Sequence, residues 1–152
     1  DPMPAATAVD RIGWGWGVIG LLRDRGVKNV ISYDSAEKAR KENEFANRRV
    51  EDYWKLRTLF EEGRISIPKD DDLVGQLGAL RLKEPDNKGR MQMKSKKEML
   101  ADGVESPDKA DSLCICFSVR DQAYIARDNG SRGYRSGKSE FELNNEYGWM
   151  AV

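Results

Sequence analysis

Asp10 closes a short apolar, β-prone run, Thr7-Ala8-Val9, and three glycines follow it at alternate positions, Gly13, Gly15 and Gly17. A carboxylate at the end of a buried strand is held rigidly by the sheet yet stands at its rim, where a ligand can approach. Glycines just beyond it let the backbone turn tightly and remove side chains that would block that approach. Far along the chain, Ser106-Pro107-Asp108-Lys109-Ala110-Asp111 brings two more carboxylates to the start of a helix. Asp108 and Asp111, three residues apart, share one helical face. Carboxylates gathered from distant segments, in a chain without histidine, point to a hard divalent cation, which takes oxygen ligands. The missing histidine also removes Ser-His and Cys-His nucleophilic catalysis. Any chemistry then falls to Asp, Glu, Lys or a metal.

The remaining composition sets wider limits. A chain of 152 residues suits one compact domain. Lys plus Arg and Asp plus Glu both number 26, which excludes a uniformly basic protein and leaves local basic patches to decide contact with polyanions. No apolar run approaches the roughly 20 residues of a membrane span, and no charged-then-apolar leader opens the sequence. Cys114 and Cys116 lie too close for a disulfide and lack partners for a zinc site, so both are expected as reduced, buried thiols.

These acids need elements to position them. After a Pro- and Ala-rich lead, Thr7 to Asp10 reads as a strand and Gly13 to Gly17 as a turn. Val18 to Arg25 reads as a helix stopped by Gly26, and Val27 to Tyr33 as a second strand. Strand, turn, helix and strand in this order predict a parallel βαβ unit with a right-handed crossover. The charged run Ser35 to Asn43 reads as a solvated loop or short helix. Asn47 can cap a long helix from Arg48 to Glu62, whose Tyr53 and Trp54 belong to an apolar face. Ile65-Ser66-Ile67-Pro68 is extended, and Asp70, Asp71 and Asp72 are the cap and first turn of another helix.

Leu80 to Glu84 and Arg90 to Lys94, joined by Pro85-Asp86-Asn87-Lys88-Gly89, predict a β-hairpin. Lys83, Lys88, Arg90, Lys94, Lys96 and Lys97 surround it, either as a solvated face or as a contact for a phosphate backbone. Ser95 to Asp102 is a short helix. Ser106 reads as the N-cap, and Pro107 as the first residue, of a helix that turns apolar from Leu113 to Val119 and so anchors its carboxylates in the core. Residues 127–152, rich in Gly, Asn and Arg, show no period and are expected as a flexible or docking tail behind a folded unit spanning 1–126.

Val9-Asp10-Arg11-Ile12-Gly13-Trp14-Gly15-Trp16-Gly17-Val18 resembles the V-D-x-x-G-x-G-x-G-V strand and turn of the large terminase subunits of tailed bacteriophages and prophages. Phe45-Ala46-Asn47-Arg48-Arg49, Tyr53-Trp54-x-Leu56-Arg57 and Glu62-Gly63-x-Ile65-x-Ile67-Pro68 are similar to that family's middle. Ser95-Lys96-Lys97-Glu98-Met99 and the Ser106 to Asp111 stretch are similar to its end.

The resemblance, from about Ala8 to about Phe117, implies an α/β fold: a ribonuclease H-like mixed sheet flanked by helices, with an inserted β-hairpin. It also implies a metal-dependent endonuclease that cuts concatemeric double-stranded DNA in the host bacterial cytoplasm, at the procapsid. Asp10, Asp111 and Asp108 would be the catalytic, metal-binding acids, holding two Mg²⁺ or Mn²⁺ ions roughly 4 Å apart. Lys94, Lys96, Arg90 and Lys88 would hold the DNA backbone. The partners implied are the portal protein, the small terminase subunit and the N-terminal ATPase domain of the same protein, whose phosphate-binding loop this sequence does not contain. The family has a further acid on an opening strand, and a three-strand meander before the strand of Asp10. The chain is therefore expected to match the C-terminal part of the nuclease domain.

Two other classes remain open. One is a non-catalytic DNA-binding or assembly module that docks to the portal or small subunit. The other is a nucleotide-binding βαβ domain that uses Gly13-x-Gly15-x-Gly17, although that spacing departs from the dinucleotide fingerprint and Asp10 would repel phosphate.

Overall fold

The computed structural model describes residues 6–120. Both the lead before them and the tail expected over 127–152 lie outside the described residues. Strand β1, Thr7–Asp10, pairs in parallel with β2, Val30–Tyr33, in a register that sets Asp10 beside Tyr33. Helix α1, Gly15–Asp24, connects them and packs on both, so the βαβ unit is present. It starts earlier than the glycine spacing predicts, with the N–H groups of Gly17 and Val18 donating to the Trp14 carbonyl at 3.1 and 3.3 Å. Strand β2 starts later than expected. Asn29, at φ 55°, turns the chain out of extended backbone just before it.

Two of the three glycines after Asp10 have a backbone reason. Gly13 sits at φ 66°, and a Cβ on Gly15 would lie 1.8 Å from the Asp10 carbonyl oxygen. Gly17 faces open space.

Four helices complete the described residues: α2 (Arg48–Glu61), α3 (Asp71–Ala79), α4 (Lys96–Ala101) and α5 (Asp108–Ser118). Asn47 caps α2 by accepting the Val50 N–H at 3.1 Å, and Asp70 caps α3 by accepting that of Leu73 at 3.0 Å. Ser95 and Glu98 form a reciprocal capping box on α4. Between α3 and α4, β3 (Leu82–Lys83) and β4 (Gln92–Met93) pair antiparallel. The strands thus form two separate two-stranded sheets among the described residues, where one mixed sheet was expected. At two residues each, β3 and β4 are too short to reach further neighbours, and one parallel bridge from Phe45 to Met91 joins their region to the loop before α2.

Helix α5 packs against β1, α2 and α3. Ala110 and Cys114 on α5, Tyr53 and Leu56 on α2, and Leu73 on α3 form one buried cluster. Burying the apolar face of α5 fixes the turn that carries Asp108 and Asp111. A second cluster, Ala39, Phe45 and Val50, closes the loop before α2. Cys114 is buried, but Cys116 is exposed, correcting the expectation of two buried thiols. Residues two apart on a helix lie on opposite sides. No helix among the described residues is long and apolar enough to cross a membrane.

Candidate active site

Asp10 lies at the C-terminal end of β1, half-buried, and its Oδ1 accepts the N–H of Ile12 at 3.0 Å. Its neighbour Arg11 reaches the other way, binding the Asp34 carboxylate and lying 5.6 Å from the Trp16 ring centroid. The Arg11 N–H also donates to the Tyr33 carbonyl at 2.8 Å. The turn after the acid is therefore tied down on the β2 side, with Trp14 standing 93% exposed above it.

Asp111, in the first turn of α5, is held by three donors. The Tyr53 hydroxyl donates to Oδ1 at 2.6 Å and Arg49 Nη2 to the same oxygen at 3.2 Å. Lys96 Nζ lies 2.8 Å from Oδ2. The same ammonium is 3.2 Å from Asp108 Oδ1, which also accepts the Ser106 hydroxyl at 2.6 Å. Two carboxylates thus converge on one cationic atom. The Asp108 carboxyl is held below its usual range by the Ser106 hydrogen bond and then by Lys96. Partial burial disfavours the Lys96 ammonium, but Asp111 and Asp108 outweigh it and raise the pKa. Burial, and then the charge of Asp111, push the Tyr53 phenol well up, so it remains a donor.

Contrary to the expectation from the sequence, Ser106 does not cap α5. Its hydroxyl goes to the Asp108 carboxylate, and Pro107 takes the cap position with no side-chain bond to offer. The first-turn N–H groups of Lys109 and Ala110 donate instead to Gln76 Oε1 of α3, at 2.8 and 3.2 Å. Lys109 Nζ reaches Asp70 at 2.8 Å and Asp72 at 3.0 Å, so these residues of the aspartate triplet serve the α3–α5 junction.

The expected DNA-contacting cations are mostly engaged within the protein. Arg90 pairs with Asp86 at 2.6 Å, Lys94 with Asp102 at 2.5 Å, and Lys96 with the two candidate acids. Lys88, in the turn between β3 and β4, is exposed, and its main-chain N–H donates to Asp86.

The structure brings Asp108 and Asp111 together. Among the described residues no three acidic or cysteine side chains cluster as an ion site, so Asp10 stands apart from the pair. The all-oxygen donor set suits a hard divalent ion, and an ammonium already lies where both carboxylates point. Those two residues fit such an ion on α5, and the fit does not extend to Asp10.

Sequence reasoning placed Tyr53 in the core and gave Arg49 no role, although both reach Asp111. Their i, i+4 spacing on α2 was the available signal. Two buried acids were also missed, Glu51 and Asp52. The Glu51 carboxylate accepts the Arg40 N–H at 2.6 Å, and Asp52 accepts the Tyr33 hydroxyl at 2.9 Å, fastening α2 to β2 and to the loop between them. A groove of about 600 Å³ runs along α2 and α3 and is lined by Trp54, Phe60 and Leu77, not by the candidate acids.

No family model and no curated protein matches the sequence. Among solved structures, the chain is similar to the nuclease domain of the large terminase subunit gp2 of bacterial virus Sf6. The TM-score is 0.57 and the identity 19%, over 72% of this chain and 63% of that one. A lysine-to-alanine mutant of that domain with manganese matches at TM-score 0.57 and 20% identity, and one with calcium at 0.56 and 20%, with the same coverage. The likeness shows that the fold is that of a terminase nuclease domain. The chain spans under two thirds of the length of those neighbours.

Proposed function

We propose that this chain is the nuclease part of a viral DNA-packaging terminase, a divalent-metal-dependent endonuclease that hydrolyses phosphodiesters of concatemeric double-stranded DNA. The observation that carries this reading is the convergence of Asp108 and Asp111 on one cationic atom, on a helix packed against the strand of Asp10. The fold likeness, to domains whose structures include one with manganese and one with calcium, supports it.

Two Mg²⁺ or Mn²⁺ ions, when bound, would supply an activated water and neutralise charge on the attacking and leaving oxygens. Asp111 and Asp108 would hold an ion on α5, with Asp10 as the acid contributed by β1. Tyr53 and Arg49 keep the Asp111 carboxylate aimed. Lys96, on leaving the acids, would take a phosphate of the DNA backbone. Lys94, Arg90 and Lys88 would take others once Lys94 and Arg90 exchange their carboxylate partners for phosphate. Such contacts position the duplex without specifying sequence. The portal protein, the small terminase subunit, an ATPase domain of the same protein and the host cytoplasm belong to this reading. A non-catalytic DNA-binding or assembly fragment is the second reading, favoured by the separation of Asp10 from the acidic pair.

Nicking of supercoiled plasmid in Mn²⁺ and in EDTA, beside Asp10→Asn and Asp111→Asn, decides between them. Metal-dependent nicking that both variants lose supports the nuclease. DNA binding that is indifferent to metal, with no nicking, replaces it with the assembly fragment.

A further inference from the structure

Helix α5 begins without a cap of its own. Pro107 holds the cap position, and the Ser106 hydroxyl is committed to the Asp108 carboxylate. The first N–H groups of a helix have no partner inside it and must find acceptors elsewhere. Here a single side-chain oxygen from another helix receives two of them: Gln76 Oε1 accepts from Lys109 N at 2.8 Å and from Ala110 N at 3.2 Å. Those residues lie between Asp108 and Asp111. Around the contact, Ala110 is fully buried, and the Lys109 ammonium binds Asp70 and Asp72 at the start of α3.

We propose that Gln76 is a positioning residue for the acidic pair, capping α5 from α3 and so fixing the turn on which Asp108 and Asp111 face a cation. The proposal rests on reading that pair as metal ligands. Side chains cannot perform this function from within α5, because the residues in cap position are a proline and a serine turned to a carboxylate. Gln76 is uncharged, so it satisfies the amides without placing another ion pair beside the metal-binding acids. If the contact is lost, the first turn can fray or rotate. Both carboxylates would then move relative to Lys96, Tyr53 and Arg49, which sit on other elements.

The test uses the full chain with two substitutions, Gln76→Leu, which removes the acceptor at similar volume, and Gln76→Glu, which keeps an acceptor oxygen. Amide hydrogen exchange at Lys109 and Ala110 reads the cap, and calorimetric titration with Mn²⁺ reads the acids. Gln76→Leu is expected to expose both amides and weaken Mn²⁺ binding by roughly tenfold, the lower end of the loss seen when a group supporting a metal ligand is removed. Gln76→Glu is expected to keep both amides protected and Mn²⁺ affinity at or above that of the unsubstituted chain. Leu59→Ala, a buried change on a different helix, α2, should lower the melting temperature without moving either readout. Unchanged amide protection in Gln76→Leu overturns the cap. Exposed amides with unchanged Mn²⁺ affinity overturn the positioning role. An unsubstituted chain that takes up no Mn²⁺ overturns the metal reading itself, and the amides then still decide whether Gln76 caps α5.

Discussion

Replacing Lys96 by methionine keeps the aliphatic stem and removes the charge from between two carboxylates. Unit charges about 3 Å apart at an effective dielectric near 20 attract by roughly 5 kcal/mol before desolvation is counted. The Lys96 side chain is 51% exposed and that of Asp108 76%, so most of this is screened. Exposed pairs contribute about 0.2–1 kcal/mol each, and the two together are worth about 1 kcal/mol. Most of that comes from Asp111, whose side chain is only 16% exposed. In EDTA, Lys96→Met should therefore lower the melting temperature by about 2–4 °C, the shift that 1 kcal/mol produces in a domain of this size. With Mn²⁺ the sign reverses, because an entering ion no longer has to displace the ammonium. About 1 kcal/mol of relief corresponds to roughly fivefold tighter binding. Thermal melts with and without Mn²⁺, together with calorimetric titration, measure both quantities. Equal losses of melting temperature in the two buffers, with Mn²⁺ affinity unchanged or weakened, would refute the idea that the ammonium lies where an ion binds.

Two further outcomes follow from the turn and from the ion pairs. Gly15→Ala drives a Cβ to within 1.8 Å of the Asp10 carbonyl oxygen and should cost roughly 1–3 kcal/mol or more in chemical denaturation, as overpacking does. Gly17→Ala meets open space in the same helix and should be neutral or stabilise by roughly 0.5–1 kcal/mol; equal effects at the two sites would show that the turn is not folded back on Asp10. Glu98 is held down to about 2 by Lys83 and by the Ser95 cap, and Asp86 to about 2 by Arg90. Both lie below their unfolded values near 4, so their contribution is present above about pH 4 and fades as pH falls toward 2. Carbon-detected NMR titration should place both carboxyl midpoints near 2, and midpoints near 4 would remove these contacts from the structure.

What the sequence made legible was local. The Asn47 and Asp70 caps, the strand that ends at Asp10 and the parallel return to Tyr33 follow from a few neighbouring residues, because each rule acts within about one helical turn or one strand. The neighbours of Asp111 could not be read that way. Tyr53 and Arg49 come from 58 and 62 residues away. Tyr53 also fits an apolar face, and both of its ends are used: the ring is buried among α2, α3 and α5, and the hydroxyl reaches the acid.

The surroundings of the basic run around β3 and β4 could not be read from the sequence for a related reason. Counting its cations ignores the anions that meet them, and Asp86, Glu98, Asp102 and Asp108 sit within reach of Arg90, Lys83, Lys94 and Lys96. A DNA phosphate at these four cations would therefore compete with an intramolecular carboxylate. On the proposed reading, that competition favours contacts which change with the occupancy of the acids: if Asp108 and Asp111 take a divalent ion, Lys96 would lose both of its partners in one step. The charge that compensates the acidic pair without metal would then become available to the phosphate backbone, so metal loading and DNA affinity should rise together on that reading.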